Sequence, residues 1–381
     1  MCDLVRGVLT ERSTGETAAT AIPLKHDAQG STRYTNSDIS WPVLRGLLDD
    51  CHDAEWLVLA VGEFRGKAST ISATERFASM VEARGISLAD FDRQPGAELI
   101  VLNRKTKEEM REGANARPRE WNETVEYTDT RITREMRGEM ERLNAFLAGR
   151  DIAMAQADGS EPRQVASRRL CRYFSLLPGQ PKPRFDQGGR LFGAAWSNLE
   201  RSQRRQFLRI DGEPIAECDY SAMFTRLAYA GQQMDLSSDA DPYAIPGFEE
   251  HRQGLKMALN ALLFTGGGLS RWPHDVAPEM PKGFNVARTK AAILKQLPGL
   301  ATGFGACASD NVPIGFSLMF TESRVLMEVL KRLMDAGVTA LPLHDAVLVA
   351  ESKAAMVIET MEIAARDVIG VRVPVVCKRF T

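Results

Sequence analysis

The chain has 381 residues, 44% hydrophobic and 26% charged, with a net charge of −2 at pH 7, which suits a globular protein of two or three domains. No apolar run approaches the roughly 18 residues of a membrane span, and the start Met1-Cys-Asp-Leu-Val-Arg6 is too charged for a signal peptide. Six scattered cysteines without a Cys-x-x-Cys pair argue against a disulfide framework or zinc site and lead us to expect a reducing, cytoplasmic setting.

Residues 1–105 mix short helical and strand-like pieces at Trp41–Asp49, Trp56–Val61, Thr70–Ala83 and Glu98–Asn103. A helix over Ser72–Ala83, a turn at Gly85 and an apolar strand fit either a winged-helix module or a small α+β domain with a packing role. The polar stretch Arg104–Asn122 lacks periodicity and reads as a linker, taken over 106–127. Thr128–Leu147 is a predicted helix: Thr128 or Asp129 caps it, and Met136, Met140, Leu143 and Leu147 recur at core spacing. A second helix is predicted over Arg168–Leu177. From Arg163 to Arg209 there are eleven Lys/Arg against two acids, interleaved with Phe174, Phe185, Phe192 and Trp196. Ahead of Asp219, such a basic stripe reads as a nucleic-acid groove rather than a solvated face.

Beyond 205 the pattern sharpens. A strand at 214–218 leads into a helix at 221–231, and helices follow at 249–264, 285–297 and 316–336. The last buries Leu326, Val329, Leu330 and Leu333 and stops at Gly337. Strands 338–343 and 346–350, helix 353–369 and strand 371–377 complete an α+β fold, an antiparallel sheet backed by helices.

Two aspartates stand at strand ends. Asp219 closes the run Gly212-Glu-Pro-Ile-Ala-Glu-Cys-Asp219, and Asp345 sits at a tight break between the apolar runs 338–343 and 346–350. The chain holds four His-Asp dipeptides, so the dipeptide alone means nothing; only His344-Asp345 lies between strands. Between the aspartates, Arg252, Lys256, Asn260 and Phe264 recur every fourth residue along one helix side. Two carboxylates with an arginine and a lysine are the parts of a phosphoryl-transfer site, in which Mg²⁺ takes one or two carboxylates and cations offset triphosphate charge.

These residues resemble motifs of the family A nucleotide polymerases, which include bacterial DNA polymerase I and the single-subunit phage RNA polymerases. Asp219-Tyr-Ser-x-x-x-x-Arg226 is similar to the first palm motif, His344-Asp345 to the last, and Arg252-x-x-x-Lys256 with Phe264 to the nucleotide-binding helix. Gly189-Arg190-Leu191, Asn198-Leu199 and Arg204-Arg205-x-Phe207 resemble the primer-gripping segment, so the likeness runs over about 188–377.

The resemblance implies a palm over 188–381 with a short fingers insertion at about 233–315, and a helical thumb over 128–187. It implies that Asp219, Asp345 and the Tyr220 carbonyl bind two Mg²⁺ ions. Arg252 and Lys256 would hold the incoming triphosphate, with Asn260 on the same face and Phe264 near the nascent base pair. Arg190 and His344 would meet the primer strand, with Asn198, Arg204 and Arg205 along the primer-template. Phe224 matches the side chain beneath the incoming sugar; either it excludes a 2′-hydroxyl or it is ordinary core. Three positions depart from the pattern: Ala346 where many members carry an acid, Asn260 where an aromatic is usual, and Thr265 where Gly is usual.

The expected activity is template-directed DNA synthesis from dNTPs on a primer-template, without a proofreading site, as suits a phage, plasmid or mobile-element replication protein, with replication proteins as partners and no membrane. The rivals are an RNA polymerase or primase on the same scaffold, and a non-catalytic DNA-binding replication initiator.

Overall fold

The structure is a computed structural model and describes residues 4, 5, 7, 8, 19–22, 33, 34, 41–62, 69–86, 96–107, 120–157, 159–165, 167–234, 236–265, 269–304 and 313–380. Two compact units emerge: Met1–Glu98 with Arg163–Arg169, and Leu99–Pro162 with Leu170–Thr381.

In the first unit, strands β1 (Thr20–Ala21), β2 (Leu57–Ala60) and β3 (Thr70–Ala73) form a small antiparallel sheet in the order β1-β3-β2. Helices α1 (Trp41–Asp53) and α2 (Glu75–Ala83) flank it in sequence, and the core gathers Leu4, Leu48, Leu57, Ile71, Phe77 and Val81. Strand β3 occupies what reads as the first turn of a helix. Thr74 separates the two, because its side chain accepts from the Phe77 amide and starts α2 there. Of the stretch Glu98–Asn103, the apolar strand of the winged-helix alternative, the residues from Leu99 onward belong to the other unit, where Ile100–Asn103 lie in β4 (Ile100–Lys107). The two-residue strand β7 (Arg163–Gln164) lies in the later segment of the first unit.

The second unit holds two sheets. The smaller has the order β5-β4-β8-β9, from Glu120–Thr124, Ile100–Lys107, Cys171–Leu176 and Gly188–Phe192. β4 and β8 run parallel and the other pairs antiparallel. Two expectations fail here. The predicted helix at Arg168–Leu177 is strand β8, in which Phe174 and Leu176 are buried while Tyr173 and Ser175 are half-buried, a two-residue alternation. The supposed linker contributes to β4 and β5 at its two ends, because pairing with β8 gives Ile100–Arg104 a partner distant in sequence. The helix predicted at Thr128–Leu147 is present as α3 (Arg131–Ala148), capped not by Thr128 or Asp129 but by Thr130 in a capping box with Thr133, and burying Met140, Leu143 and Leu147.

The larger sheet is antiparallel, as expected. Its path is β12-β13-β11-β10-β6, from Ala340–Leu343, Ala346–Ala350, Glu213–Tyr220, Leu208–Ile210 and Ile152–Met154, and β14 (Val375–Arg379) also pairs with β11. The remaining helices are α4 (Arg201–Phe207), α5 (Met223–Ala230), α6 (Arg252–Thr265), α7 (Val286–Gln296), α8 (Ile314–Asp335) and α9 (Ala354–Ile369). α8 buries Leu326, Val329, Leu330 and Leu333, as the sequence periodicity requires, and α9 buries Val357, Met361 and Ala364. Cys51, Cys171, Cys218 and Cys377 are free thiols. Among the described residues no helix is long and apolar enough to cross a membrane.

Candidate active site

Side chains alternate along a strand, so Glu217 and Asp219 of β11 share one face while Cys218 and Tyr220 take the other. The second face packs on α9, where the buried Tyr220 hydroxyl donates to the Met361 carbonyl at 2.6 Å. The first face therefore carries the acids. Asp219 is paired in register with Ala346, so Asp345, one residue earlier, arrives beside it.

Asp345 reaches that place through a two-residue hairpin, because Leu343 pairs with Ala346 and leaves His344 and Asp345 as the turn. His344 adopts φ +61°, the left-handed conformation that tight hairpins demand. Trp196, fully buried, anchors the approach by donating its Nε1–H to the Pro342 carbonyl at 3.0 Å. On the other strand Ala222 takes φ +52° and turns the chain from β11 into α5. A non-glycine residue at positive φ stands near each aspartate, and such strain persists only where surrounding structure holds it.

The electrostatics follow from this placement. Burial first, and then the charge of Asp345, push the Asp219 carboxyl up to about 7, with Lys256 pulling the other way. Burial and the Arg190 charge lower His344, which is thus a neutral imidazole at pH 7; its ring meets Phe192 at 5.7 Å. Glu217 is buried and paired with Arg201 at 2.6 Å.

Helix α6 carries Lys256, whose charge acts on Asp219. Leu255, Ala258, Leu259, Leu262 and Leu263 are buried, whereas Arg252 and Lys256 are exposed and Asn260 and Phe264 half-buried. Gly254 lets this helix touch backbone: a Cβ there would lie 2.1 Å from the Glu279 carbonyl oxygen. Arg252 is already engaged, its Nε and Nη2 donating to Asp241 at 3.0 and 3.1 Å. Asp241 is held in place by Arg226, whose buried guanidinium donates to the carbonyls of Leu236, Ser237, Ser238 and Ala240 just before it. Lys256 forms no ion pair among the described residues.

Phe224, half-buried on α5, meets the edge of Phe264 at 5.7 Å between ring centroids, and Phe264 meets Phe316 at 5.3 Å. Gly315 lies flat under the Phe264 ring, where a Cβ would come within 2.8 Å of the ring carbons. Arg190 of β9 approaches the Phe224 ring at 5.6 Å and pairs with Glu322 of α8 through two contacts of 2.7 and 3.1 Å. Burial raises the Glu322 carboxyl to about 7. Burial also opposes the Arg190 charge, but the Glu322 hydrogen bond and charge outweigh it and hold that guanidinium above its ordinary value. Two short N–H···O contacts are those of a charged pair.

Six of the residues singled out in the sequence thus converge on one region: Asp219, Asp345, Lys256, Phe224, Arg190 and His344. The basic stripe does not form one surface. Arg172 is 3% exposed, donates to the Gly189 carbonyl and the Ser323 hydroxyl, and is pushed down to about 10 by burial. Arg168 belongs to the first unit, where it donates to the Val165 carbonyl. Arg204 donates to the Leu199 and Trp196 carbonyls, Arg205 stacks on Phe380 at 4.1 Å, and Asn198 is exposed at the end of the short turn Ala195–Ser197. Sequence reasoning missed Glu322 and Asp241. A carboxylate on the buried stripe of a long amphipathic helix is the signal that reveals the first; nothing local marks the second.

The residues suit a hard divalent cation. The Oδ1 atom of Asp219 is buried without a hydrogen-bond partner among the described residues, and a like charge stands beside it. Among the described residues no cluster of three or more His, Cys, Asp or Glu ligands is assembled, so the donors open to such a cation would be this pair of carboxylates, the number that Mg²⁺ accepts alongside waters and phosphate.

No protein-family model and no curated protein matches the sequence. Among solved structures, the chain is similar to the polymerase domain of Pol1 from M. smegmatis in complex with DNA primer-template and dNTP, at 14% identity and a TM-score of 0.34. The match covers 65% of this chain and 51% of that one, so the chain spans about half the length of that structure. A likeness this low bears on neither mechanism nor substrate.

Proposed function

We propose that this chain is a template-directed DNA polymerase that joins dNTPs to a primer 3′-hydroxyl. The observation that carries the proposal is the register of β11 and β13, which sets Asp219 beside Asp345, with a buried Asp219 oxygen that has no hydrogen-bond partner among the described residues. Two carboxylates kept adjacent against their own repulsion are costly without a cation between them.

In this reading Asp219 and Asp345, with the Tyr220 carbonyl, hold two Mg²⁺ ions. When bound, such ions lower the pKa of the primer hydroxyl and balance charge on the departing pyrophosphate. The chain's own residues do the rest. Lys256 neutralises phosphate charge from the exposed face of α6. Arg252 reaches the triphosphate by exchanging Asp241 for phosphate oxygens, so nucleotide binding opens an ion pair that exists without it. His344, neutral, offers a ring nitrogen to the primer end, and Arg190 offers the edge of its guanidinium that Glu322 leaves free. Arg205 and Asn198 remain candidates for primer-template contacts at the surface, whereas Arg204 is tied to backbone carbonyls. Phe264 lies next to the base pair being formed, with Asn260 beside it.

Sugar choice rests on Phe224. Its ring is half-buried and braced by Phe264, so a 2′-hydroxyl pressed against it must displace the ring or tilt the sugar. This favours dNTPs over rNTPs.

Primer extension with dNTPs and rNTPs side by side tests the proposal. Extension is expected with Mg²⁺ and dNTPs, and lost with a chelator. Efficient rNTP use would move the RNA polymerase or primase reading ahead, and binding without extension would leave a non-catalytic initiator.

A further inference from the structure

Glu322 stands where an apolar residue belongs. It shares the inner side of α8 with Leu318, Val325, Leu326 and Val329 and is 2% exposed. A carboxylate so buried is costly unless paired, and an apolar pair of similar volume is commonly as stable. Packing alone therefore gives no reason for it. What it does is fix Arg190. The Nε and Nη2 groups of Arg190 both point at Glu322, and no hydrogen bond engages Nη1 among the described residues. The same guanidinium is drawn by Asp345 and lies against Phe224, whose ring Phe264 braces from another side.

Resting on the polymerase reading above, we infer that Glu322 is a positioning residue for substrate selection: it clamps Arg190 so that the guanidinium and the Phe224 ring form one rigid surface against the incoming nucleotide's sugar. Without the clamp, Arg190 turns toward Asp345, the acid that already attracts it. Phe224 then loses the cation on its face and gains room to yield to a 2′-hydroxyl.

The test is the ratio of kcat/KM for dNTP to that for the matching rNTP, measured with Glu322→Gln, Glu322→Asp, Arg190→Lys and each combined with Phe224→Ala. Glu322→Gln and Arg190→Lys are expected to lower the ratio by about tenfold, since small misplacements carry large rate penalties. Glu322→Asp, which keeps the charge, should recover part of the loss. In the Phe224→Ala background Glu322→Gln should change the ratio no further, because both act through one surface. Melting temperatures confirm that each variant is folded, and Arg190→Lys carries the test if Glu322→Gln does not fold. An unchanged ratio in folded variants, or fully additive effects with Phe224→Ala, overturns the inference. A wild-type protein that extends no primer strikes the polymerase reading instead, which the Mg²⁺ and dNTP controls report separately.

Discussion

At the scale of single residues, Asp219 is the position where function and stability pull apart. Its carboxyl is raised from 3.8 to about 7, by burial and then by Asp345. A raised acid pKa means that the native state binds the proton more tightly than the unfolded chain. The associated stability is complete below about pH 4 and is lost as pH rises through about 7. Asp219→Asn should therefore stabilise the metal-free protein at pH 8 by on the order of 1–3 kcal/mol, leave it nearly unchanged at pH 4, and abolish nucleotide incorporation. Thermal melts at the two pH values check the first part. A melting temperature that falls at pH 8 would mean that Asp219 has hydrogen-bond partners the structure does not show. Phe224→Ala is expected to raise ribonucleotide incorporation much more than it lowers deoxyribonucleotide incorporation. If the wild type already uses both sugars equally and the variant behaves the same, Phe224 is ordinary core. Both residues are legible in the sequence, because a polar residue at the end of an apolar run and an aromatic one helical turn later are local patterns. Glu322 is not, since its importance depends on Arg190, 132 positions away.

At the scale of elements, α6 presents Lys256 exposed, without an ion pair among the described residues, and Arg252 paired with Asp241. Lys256→Met should cost about 2–4 kcal/mol of transition-state stabilisation with little change in template affinity. Asp241→Asn should act the other way and tighten nucleotide binding, because it frees Arg252 before the triphosphate arrives. Weaker nucleotide binding in that variant would show that the Asp241–Arg252 pair shapes the site rather than competes with the ligand. The basic stretch divides in the same manner. Arg172→Ala should cost on the order of 3 kcal/mol of stability and leave the salt dependence of DNA binding alone. Arg205→Glu should reduce the log–log salt slope by about 1. The long helices and the central strands beyond residue 205 were readable because each carries its own apolar period. By contrast, β10 went unread, and the last strand, expected at 371–377, runs Val375–Arg379 with little buried side chain, its place set by pairing with β11. The strand at Cys171–Leu176 was not readable either. Arg168 and Arg169 stand just before it and Arg172 lies within it, and what makes the segment a strand is parallel pairing with Ile100–Arg104, which no local window contains.

At the scale of the molecule, a net charge of −2 conceals a division of labour. The second unit gathers the acids Asp219, Asp345, Glu217 and Glu322 near one end of β11 and meets them with Arg190, Arg201 and Lys256. Such a balance keeps the site neutral enough to fold while leaving the aspartate pair short of positive charge, the deficit that the proposed Mg²⁺ would fill. The most direct measurement is single-nucleotide extension of a 5′-labelled primer-template by the wild type and by Asp345→Asn, each with Mg²⁺ and with a chelator. The wild type should extend only with Mg²⁺, and Asp345→Asn should lose at least about 10³-fold in rate while binding the primer-template as before. Extension by Asp345→Asn at close to the wild-type rate would contradict the account.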